Sequence, residues 1–494
     1  MENLLLGIDI GTSACKIAIF NVEGQVIAQS NQSYNIFYPD AGWVEQDPNE
    51  WWEAVCIGVK ECMGKEEIDP TQIKGVGIAG QGWSAIPVDK GGNCLDNTPI
   101  WMDTRAKDIA ERVTEQIGDE KIFEVAGNSF LPAYTTPKLL WFKENKPDIY
   151  EQAYKFLQSN SFIGMKLTGV MSVDKCQNYG VHFYNTKTCT YEEELAKEMG
   201  LSLDKMPDIY QCHDVIGKVT RDAADLTSLI EGTPVVAGGL DAACGTLGAG
   251  VHLPKQTQIQ GGQAGGMSIC EDEPIAHPKL IFSPHVVPDQ WLLQGGTVGG
   301  GGVLRWFKQE LGAGKSFDEL TALAEDIAPG ADGVTFLPYM AGERCPIWDP
   351  NAKGVFYGLS FDKTKAHLIR AALEGVVFSV QHNLKVAEEA GVDVDELDLR
   401  AMGGVANSEL WIQMYADVTG CKISIPTSDT ATTLGAAILA GVGVGIYKDF
   451  PEAVEKTVNI NRVQEPDMEK HKSYEKSFAL YLELSDKLAD TFDR

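Results

Sequence analysis

The chain has 494 residues, 44% of them hydrophobic and 22% charged, with a formal net charge of −29. That length and balance describe a globular protein of two or three domains rather than a disordered chain. The acidic excess argues against nucleic acid or an anionic membrane as the main partner, and no apolar run approaches the roughly 20 residues of a membrane span.

Residues 4–10 form an apolar run that carries Asp9 near its end. Gly11-Thr12-Ser13 follow, then a second apolar run over 17–20. Asn21-Val22-Glu23-Gly24 turn the chain back into 26–28, so the spacing predicts a β-hairpin. Gly11 lets the backbone approach a ligand closely, and free N–H groups with two hydroxyls suit a phosphate. Asp9 beside that turn can hold Mg²⁺ directly or through water. The plain alternative is a strand-end carboxylate in an ordinary hairpin. No basic segment precedes this first strand, which speaks against a secretory leader. Eleven cysteines are dispersed without a CxxC pair, the pattern of reduced thiols in a cytoplasmic protein.

Asp47-Pro48-Asn49-Glu50 predicts a helix start, with Asp47 as cap, Pro48 in the first turn and Glu50 three residues on. Trp51, Trp52, Val55 and Val59 continue it as a helical stripe. Residues 73–79 read as a buried strand, and 85–89 with the turn Lys90-Gly91-Gly92-Asn93 as a further hairpin. Residues 235–239 form a strand running into a glycine turn, with a helix of small residues from about 241 to 249. A new unit begins near 254, which divides the chain into 1–253 and 254–494. Gln258-Ile259-Gln260-Gly261-Gly262-Gln263-Ala264-Gly265-Gly266 echoes residues 6–13, so the two halves read as related. Glycines 299–302 precede a helix, 368–386 is a long apolar-periodic helix, and 397–402 is a strand into Gly403-Gly404. Helices follow at about 407–419 and 433–440, and the tail, about 465–490, reads as an amphipathic helix. Without a low-complexity linker, a ligand is expected in the cleft between the halves.

Several separated motifs resemble the FGGY family of carbohydrate kinases, of the actin-like, sugar-kinase fold. Gly354-Val355-Phe356-Tyr357-Gly358-Leu359, then seven residues, then His367 through Glu374, fits the family's C-terminal signature. Thr135-Thr136-Pro137-Lys138-Leu139-Leu140-Trp141 with Glu144-Asn145 is similar to its N-terminal signature, although Ala133 departs from the usual first residue. Residues 8–13 are similar to its first phosphate loop, 237–241 to its catalytic-aspartate segment and 402–408 to its adenosine motif. The match runs in the expected order from about residue 4 to about 445, most like the xylulokinase branch. The resemblance implies an α/β protein of two ribonuclease-H-like domains, each a five-stranded mixed sheet flanked by helices, with ATP, Mg²⁺ and a small sugar as ligands. It admits a homodimer, and nothing in the sequence fixes the oligomeric state.

Phosphoryl transfer to a hydroxyl needs a base, a metal and a charge-stabilising cradle. Asp241, after a strand and a Gly-Gly turn, can take the hydroxyl proton and contact the sugar, or serve as a helix N-cap. By resemblance Asp9 organises Mg²⁺ on the phosphates of ATP beside Gly11, Thr12 and Ser13. The second phosphate loop departs from the family's Gly-Thr, reading Gly262-Gln263-Ala264, where the glutamine amide still donates to a phosphate; the alternative is a flexible surface turn. By the same resemblance Gly301 and Arg305 border the adenine, Arg305 alternatively being a solvated helix residue, and Gly403, Gly404 and Asn407 border the adenosine, with Asn407 alternatively capping the next helix. For the sugar the candidates are Gln81, Gly82 and Trp83, then Trp101 and Asp103, the last alternatively pairing with Arg105. Glu343 and Arg344 read as a structural ion pair near the cleft. A xylulokinase-like enzyme is the best single reading, although xylulokinases carry a histidine where Trp83 stands and an asparagine where Ala242 stands, two departures that count against D-xylulose itself. The alternatives are a kinase for gluconate, L-xylulose, a polyol or a signalling ketose, and a non-catalytic actin-like ATP-binding module.

Overall fold

Seven buried residues in succession, Leu-Leu-Leu-Gly-Ile-Asp-Ile, make β1 (Leu4–Ile10) a central strand, because only a strand covered on both faces tolerates such a run. The computed structural model describes residues 3–65, 68–427 and 430–492. β1 pairs antiparallel with β2 (Ala14–Asn21), and β2 with β3 (Val26–Ser33). The alternating burial of β3 suits its place at the sheet edge. On its other side β1 runs parallel to β4 (Ile73–Gly80). Beyond β4 lie β5 (Val215–Lys218) and β6 (Pro234–Val236), in the order β5-β6-β4-β1-β2-β3, with β7 (Gly239–Leu240) also paired to β4. The crossover helix α1 (Pro48–Lys65) buries Trp51, Val55 and Val59 against this sheet. Asp47 accepts the N–H of Asn49 at 2.8 Å. The expected capping box does not close, because the Glu50 carboxylate accepts both N–H groups of Asn35 instead. The turn at 90–93 forms, but strand Ile86–Val88 takes Lys155–Leu157 as its main partner rather than closing a local hairpin.

A separate apolar core in this unit surrounds α2 (Thr135–Asn145), where Leu139, Leu140, Trp141 and Phe142 pack with Phe156 and Phe183. Helix α3 (Ser159–Thr168) and α4 (Asp241–Gly248) complete the parts that matter for the site.

The second unit repeats the plan. β8 (Gln256–Gly261) and β9 (Gly265–Glu271) form an antiparallel hairpin around Gly262-Gln263-Ala264, as β1 and β2 do around Gly11-Thr12-Ser13. β8 is parallel to β12 (Asp398–Met402), as β1 is to β4. With β10 (Ile281–Pro284), β11 (Trp291–Thr297), β13 (Ile423–Pro426) and β14 (Ile460–Gln464) the sheet order is β10-β11-β9-β8-β12-β13-β14. Among the described residues each sheet therefore has seven strands rather than five. Helices α5 (Gly301–Leu311), α6 (Lys365–Glu389) and α7 (Glu409–Thr419) belong to this unit.

The chain does not divide at one point. Residues Met1–His252, Ser283–Trp291 and Thr430–Asn459 form the first unit, and the remainder forms the second. The returning helix α8 (Ala431–Gly443) explains why. Its backbone lies directly on β1 and β4. A Cβ on Gly77 would stand 1.8 Å from the Ala436 carbonyl oxygen, and one on Gly7 2.0 Å from that of Thr433. Only glycines in the strands and small residues in the helix allow that approach. The last helix, α9 (Met468–Phe492), buries Tyr474 and Tyr481 in the second unit. No helix among the described residues is long and apolar enough to cross a membrane.

Candidate active site

Parallel strands β1, β4 and β7 end together, with Ile10 and Leu240 both registered on Gly80. Open α/β sheets bind ligands beyond the carboxyl ends of such strands. Asp9 is the penultimate residue of β1, and Asp241 follows β7 directly. The chain order that looked unrelated in sequence thus brings both carboxylates to one edge. Leu240 occupies the N-cap position of α4, so Asp241 is not the cap. Its Oδ1 instead accepts the N–H of Ala242 at 2.7 Å. Burial, and then the charge of Asp9, push Asp241 up to about 7. Burial raises Asp9 to about 6, opposed by Lys16, whose Nζ is 3.8 Å from Oδ2. Oδ1 of Asp9 is buried and has no hydrogen-bond partner among the described residues.

The turn after Asp9 is tied to the expected sugar residues. Trp101 Nε1 donates to Thr12 Oγ1 at 2.9 Å. Gln81 Nε2 donates to Gln46 Oε1 at 2.7 Å, and Gln46 Nε2 to the Thr12 carbonyl at 2.8 Å. Ser13 is exposed at the tip, and the Gly11 carbonyl accepts the Tyr34 hydroxyl. Asp103 is a correction. It is fully buried, and both its oxygens are filled by Arg105 and by the Val44 N–H. Arg105 also pairs with Glu45 at 2.7 Å and lies over the Trp43 ring. This enclosed set braces the Trp101 segment, leaving no carboxylate oxygen for a sugar.

Trp83 sits at φ 65°, a left-handed conformation that costs a bulky residue about 1–2 kcal/mol. The ring stacks obliquely on Tyr134 at 4.1 Å and approaches Tyr179 at 5.9 Å. Gly82 is bordered by Leu240, the Tyr179 hydroxyl and Gln177 Oε1, which lie 3.0, 3.4 and 3.8 Å from where a Cβ would stand. Gln177 Nε2 donates to the Gly80 carbonyl at 2.6 Å. Asp174, raised to about 6 by burial, accepts the N–H groups of Cys176 and Gln177. It also accepts Asn160 Nδ2 at 2.8 Å, and that same amide reaches the Ala237 carbonyl at 3.1 Å. One hydrogen-bonded hub therefore joins the Gln81 loop to the strand that delivers Asp241. Oε1 of Gln81, Gln158 and Gln177 and Nδ1 of His182 are buried without partners among the described residues.

In the second unit four of the predicted nucleotide residues, Gly262, Gln263, Gly301 and Gly403, come together. The N–H of Gly262 donates to the Ala264 carbonyl, closing the β8–β9 turn. The N–H of Gly301 donates to the Gly262 carbonyl at 2.8 Å and that of Gly302 to the Gln263 carbonyl at 3.0 Å. The turn is thus anchored to the start of α5 rather than flexible. Gly403, at φ 82°, passes so close to β8 that a Cβ would be 2.9 Å from the Gly261 carbonyl oxygen. Asn407 is not the cap of α7, because Ser408 accepts the N–H of Trp411. Arg305 is exposed on α5. Glu343 Oε1 accepts the N–H groups of Val298 and Arg344 at 2.6 and 2.8 Å, and burial raises its carboxyl to about 7.

Comparison with known proteins decides the family. The N-terminal domain model of the FGGY family of carbohydrate kinases matches residues 4–248, and its C-terminal domain model matches residues 270–444. The chain belongs to the FGGY family of carbohydrate kinases. Such kinases phosphorylate sugars with ATP, and the protein is an enzyme of that class. It is 32% identical over 483 residues to a xylulose kinase of Staphylococcus epidermidis, covering 97% of this chain and 96% of that protein. Among solved structures it resembles a gluconate kinase from Lactobacillus acidophilus at 26% identity and TM-score 0.92, covering 100% and 99% of the two chains. A ligand-bound xylulose kinase from the same organism gives the same identity and TM-score, covering 99% of both chains.

For this FGGY kinase the motifs located Asp9, Asp241 and the glycine loops. They did not locate Tyr134, Asn160, Asp174, Gln177 or Tyr179. Residues 172–184 offered one signal, a polar-aromatic stretch that buries completely yet has no strand or helix period.

Proposed function

We propose that the enzyme transfers the γ-phosphoryl group of ATP to a hydroxyl of a neutral ketose of the xylulose type. The observation that carries this reading is the pair Asp9 and Asp241 at the joined ends of β1 and β7, beside Gly82, Tyr179 and Gln177. Asp241 takes the proton of the attacking hydroxyl; the sugar oxygen bonds to the γ-phosphorus, and the bond to the bridging oxygen breaks to release ADP. Trp83 offers a stacking face to the C–H side of the sugar, and Gln81, Gly82 and Trp101 border it. The two cations beside the Trp83 and Trp101 segments are both already partnered, which favours an uncharged sugar over an aldonate there. Arg105 is spent on Asp103 and Glu45, and Lys138 on backbone carbonyls.

Gly11, Thr12 and Ser13 are assigned to phosphate, and Gly262, Gln263, Gly301, Arg305, Gly403, Gly404 and Asn407 to the nucleotide. On this reading the first unit carries sugar and base, and the second carries ATP. The unpartnered Oδ1 of Asp9 fits an oxygen ligand for Mg²⁺. Among the described residues no group of three or more His, Cys, Asp or Glu gathers around a metal, so the ion would arrive with the phosphates. Bound there, Mg²⁺ neutralises charge on the transferring group. The eleven cysteines are free, which supports a cytoplasmic enzyme, and sedimentation equilibrium decides between a monomer and a homodimer.

The test is ADP release over a panel of D-xylulose, L-xylulose, gluconate and a four-carbon polyol. D-Xylulose is expected to give the highest kcat/KM. Preference for gluconate overturns the substrate, and no ADP release above background with any sugar overturns the kinase reading in favour of a binding module.

The raised carboxyl of Asp241 sets a pH dependence. The base works only when deprotonated, so kcat/KM is expected to rise with pH and reach half its plateau near 7. A profile flat from pH 5.5 to 8.5 would remove Asp241 as the base. Truncation of Trp83 to Ala removes a stacking surface worth about 0.5–1.5 kcal/mol beyond burial. Sugar KM is expected to rise about two- to tenfold and sugar preference to change order, with ATP KM unmoved. An unchanged sugar profile with only a lower Tm would make Trp83 a core residue.

A further inference from the structure

The proposed reading leaves a buried cation without a role. Lys138, on α2, is fully enclosed, an uncommon place for an ammonium group. Its Nζ donates to the carbonyl of Trp83 and to the carbonyl of Ile100, each at 2.8 Å. These two acceptors belong to different segments. Trp83 ends the Gln81-Gly82-Trp83 loop, and Ile100 directly precedes Trp101. Trp101 in turn holds Thr12 of the first phosphate turn through its indole N–H.

We propose that Lys138 is a positioning residue for sugar selectivity, fastening the Trp83 loop to the Trp101 segment so that the aromatic face and the phosphate turn keep a fixed separation. The proposal rests on the sugar-binding role assigned to Trp83.

The chemistry of the group suits this task. A tetrahedral ammonium can serve two carbonyls from different directions, and charge-assisted donors bind about twice as strongly as neutral ones. A backbone carbonyl held this way fixes the residue's ψ, which matters at Trp83 because its φ of 65° is one a large side chain does not hold unaided. Burial pulls the ammonium down to about 7, with Asp103 opposing the shift. Helix α2 itself is anchored by the apolar core around Leu139 and Phe142. The clamp therefore has a rigid base.

The experiment is a double-mutant cycle on the full-length enzyme with D-xylulose, or whichever sugar of the panel is best, as the probe. Lys138→Met is expected to raise sugar KM by about tenfold while ATP KM stays constant. The decisive term is coupling. If Lys138 acts through the Trp83 loop, the double variant Trp83→Ala/Lys138→Met keeps a sugar KM within about twofold of Trp83→Ala alone. Additive effects, or equal loss in sugar and ATP parameters, overturn the proposal and make Lys138 a stability residue. A Trp83→Ala variant with unchanged sugar KM instead sinks the substrate-loop reading itself, so the two failures are distinguishable. Lys138→Gln keeps one amide donor and runs the same cycle should the methionine variant not fold. Failure of both to fold counts against a positioning role.

Discussion

Asp241→Asn is expected to lower kcat by about 10²–10⁴-fold, the range for loss of a positioned general base, with ATP affinity retained. The same substitution is expected to stabilise the fold at alkaline pH. Asp241 is held near 7 in the native protein, against an ordinary value of 3.8. Between those two pH values the native state binds the proton more tightly than the unfolded chain, so native stability falls as pH rises through that window. Asparagine carries no charge to desolvate and escapes the loss. Its Tm advantage is expected to be full at pH 8 and to shrink as the pH is lowered toward 4. Calorimetry across that range, paired with single-turnover kinetics, checks both halves. A variant with wild-type kcat removes Asp241 from the chemistry, and a Tm difference independent of pH removes the buried charge as its cause.

Asp9→Ala is expected to reduce kcat by about 10–100-fold and to raise the Mg²⁺ concentration needed for half-maximal rate. The basis is the unpartnered, buried Oδ1 at the end of β1. Removing Asp9 also removes the charge that helps raise Asp241, so the midpoint of the pH profile is expected to move below that of the parent enzyme. Titration calorimetry of MgATP gives a readout apart from turnover. Unchanged Mg²⁺ dependence together with an unmoved pH midpoint would return Asp9 to a purely structural carboxylate.

Much of this site was legible in the sequence because its backbone demands are severe. A strand that must end beside a phosphate needs glycine next, and Gly11, Gly262 and Gly403 each directly follow a strand. The two hairpins could be matched across the chain for the same reason. What escaped was set by three-dimensional pairing rather than by local pattern. Asp103 has the composition of a ligand residue, and only the distance to Arg105 shows that its charge is already met. Asn407 and Ser408 are adjacent capping residues, and the choice between them turns on one side-chain bond. Asn160, Asp174 and Gln177 stand among other polar residues in sequence, and that local pattern carries no sign of which partner meets each one. The edge strands β5, β10 and β14 were missed because they are short, and because an edge needs less hydrophobic pattern than a centre.

The return of α8 to the first unit has a consequence for how the protein is made. On the ribosome β1, β4 and α4 emerge early, yet the helix that lies against Gly7 and Gly77 is translated only after Thr430. Until then one apolar face of the first sheet has no cover, and the pair Asp9 and Asp241 sits at the end of strands that nothing yet holds flat. Domains of a nascent chain usually complete themselves in order from the N-terminus. Here the earliest-made sheet is completed only late in synthesis, through contacts of very long sequence separation, which slow folding. Premature termination before residue 430 would therefore release the most exposed form of the chain, and the protein's exposure to chaperones and proteases during synthesis is set by one small helix near its end.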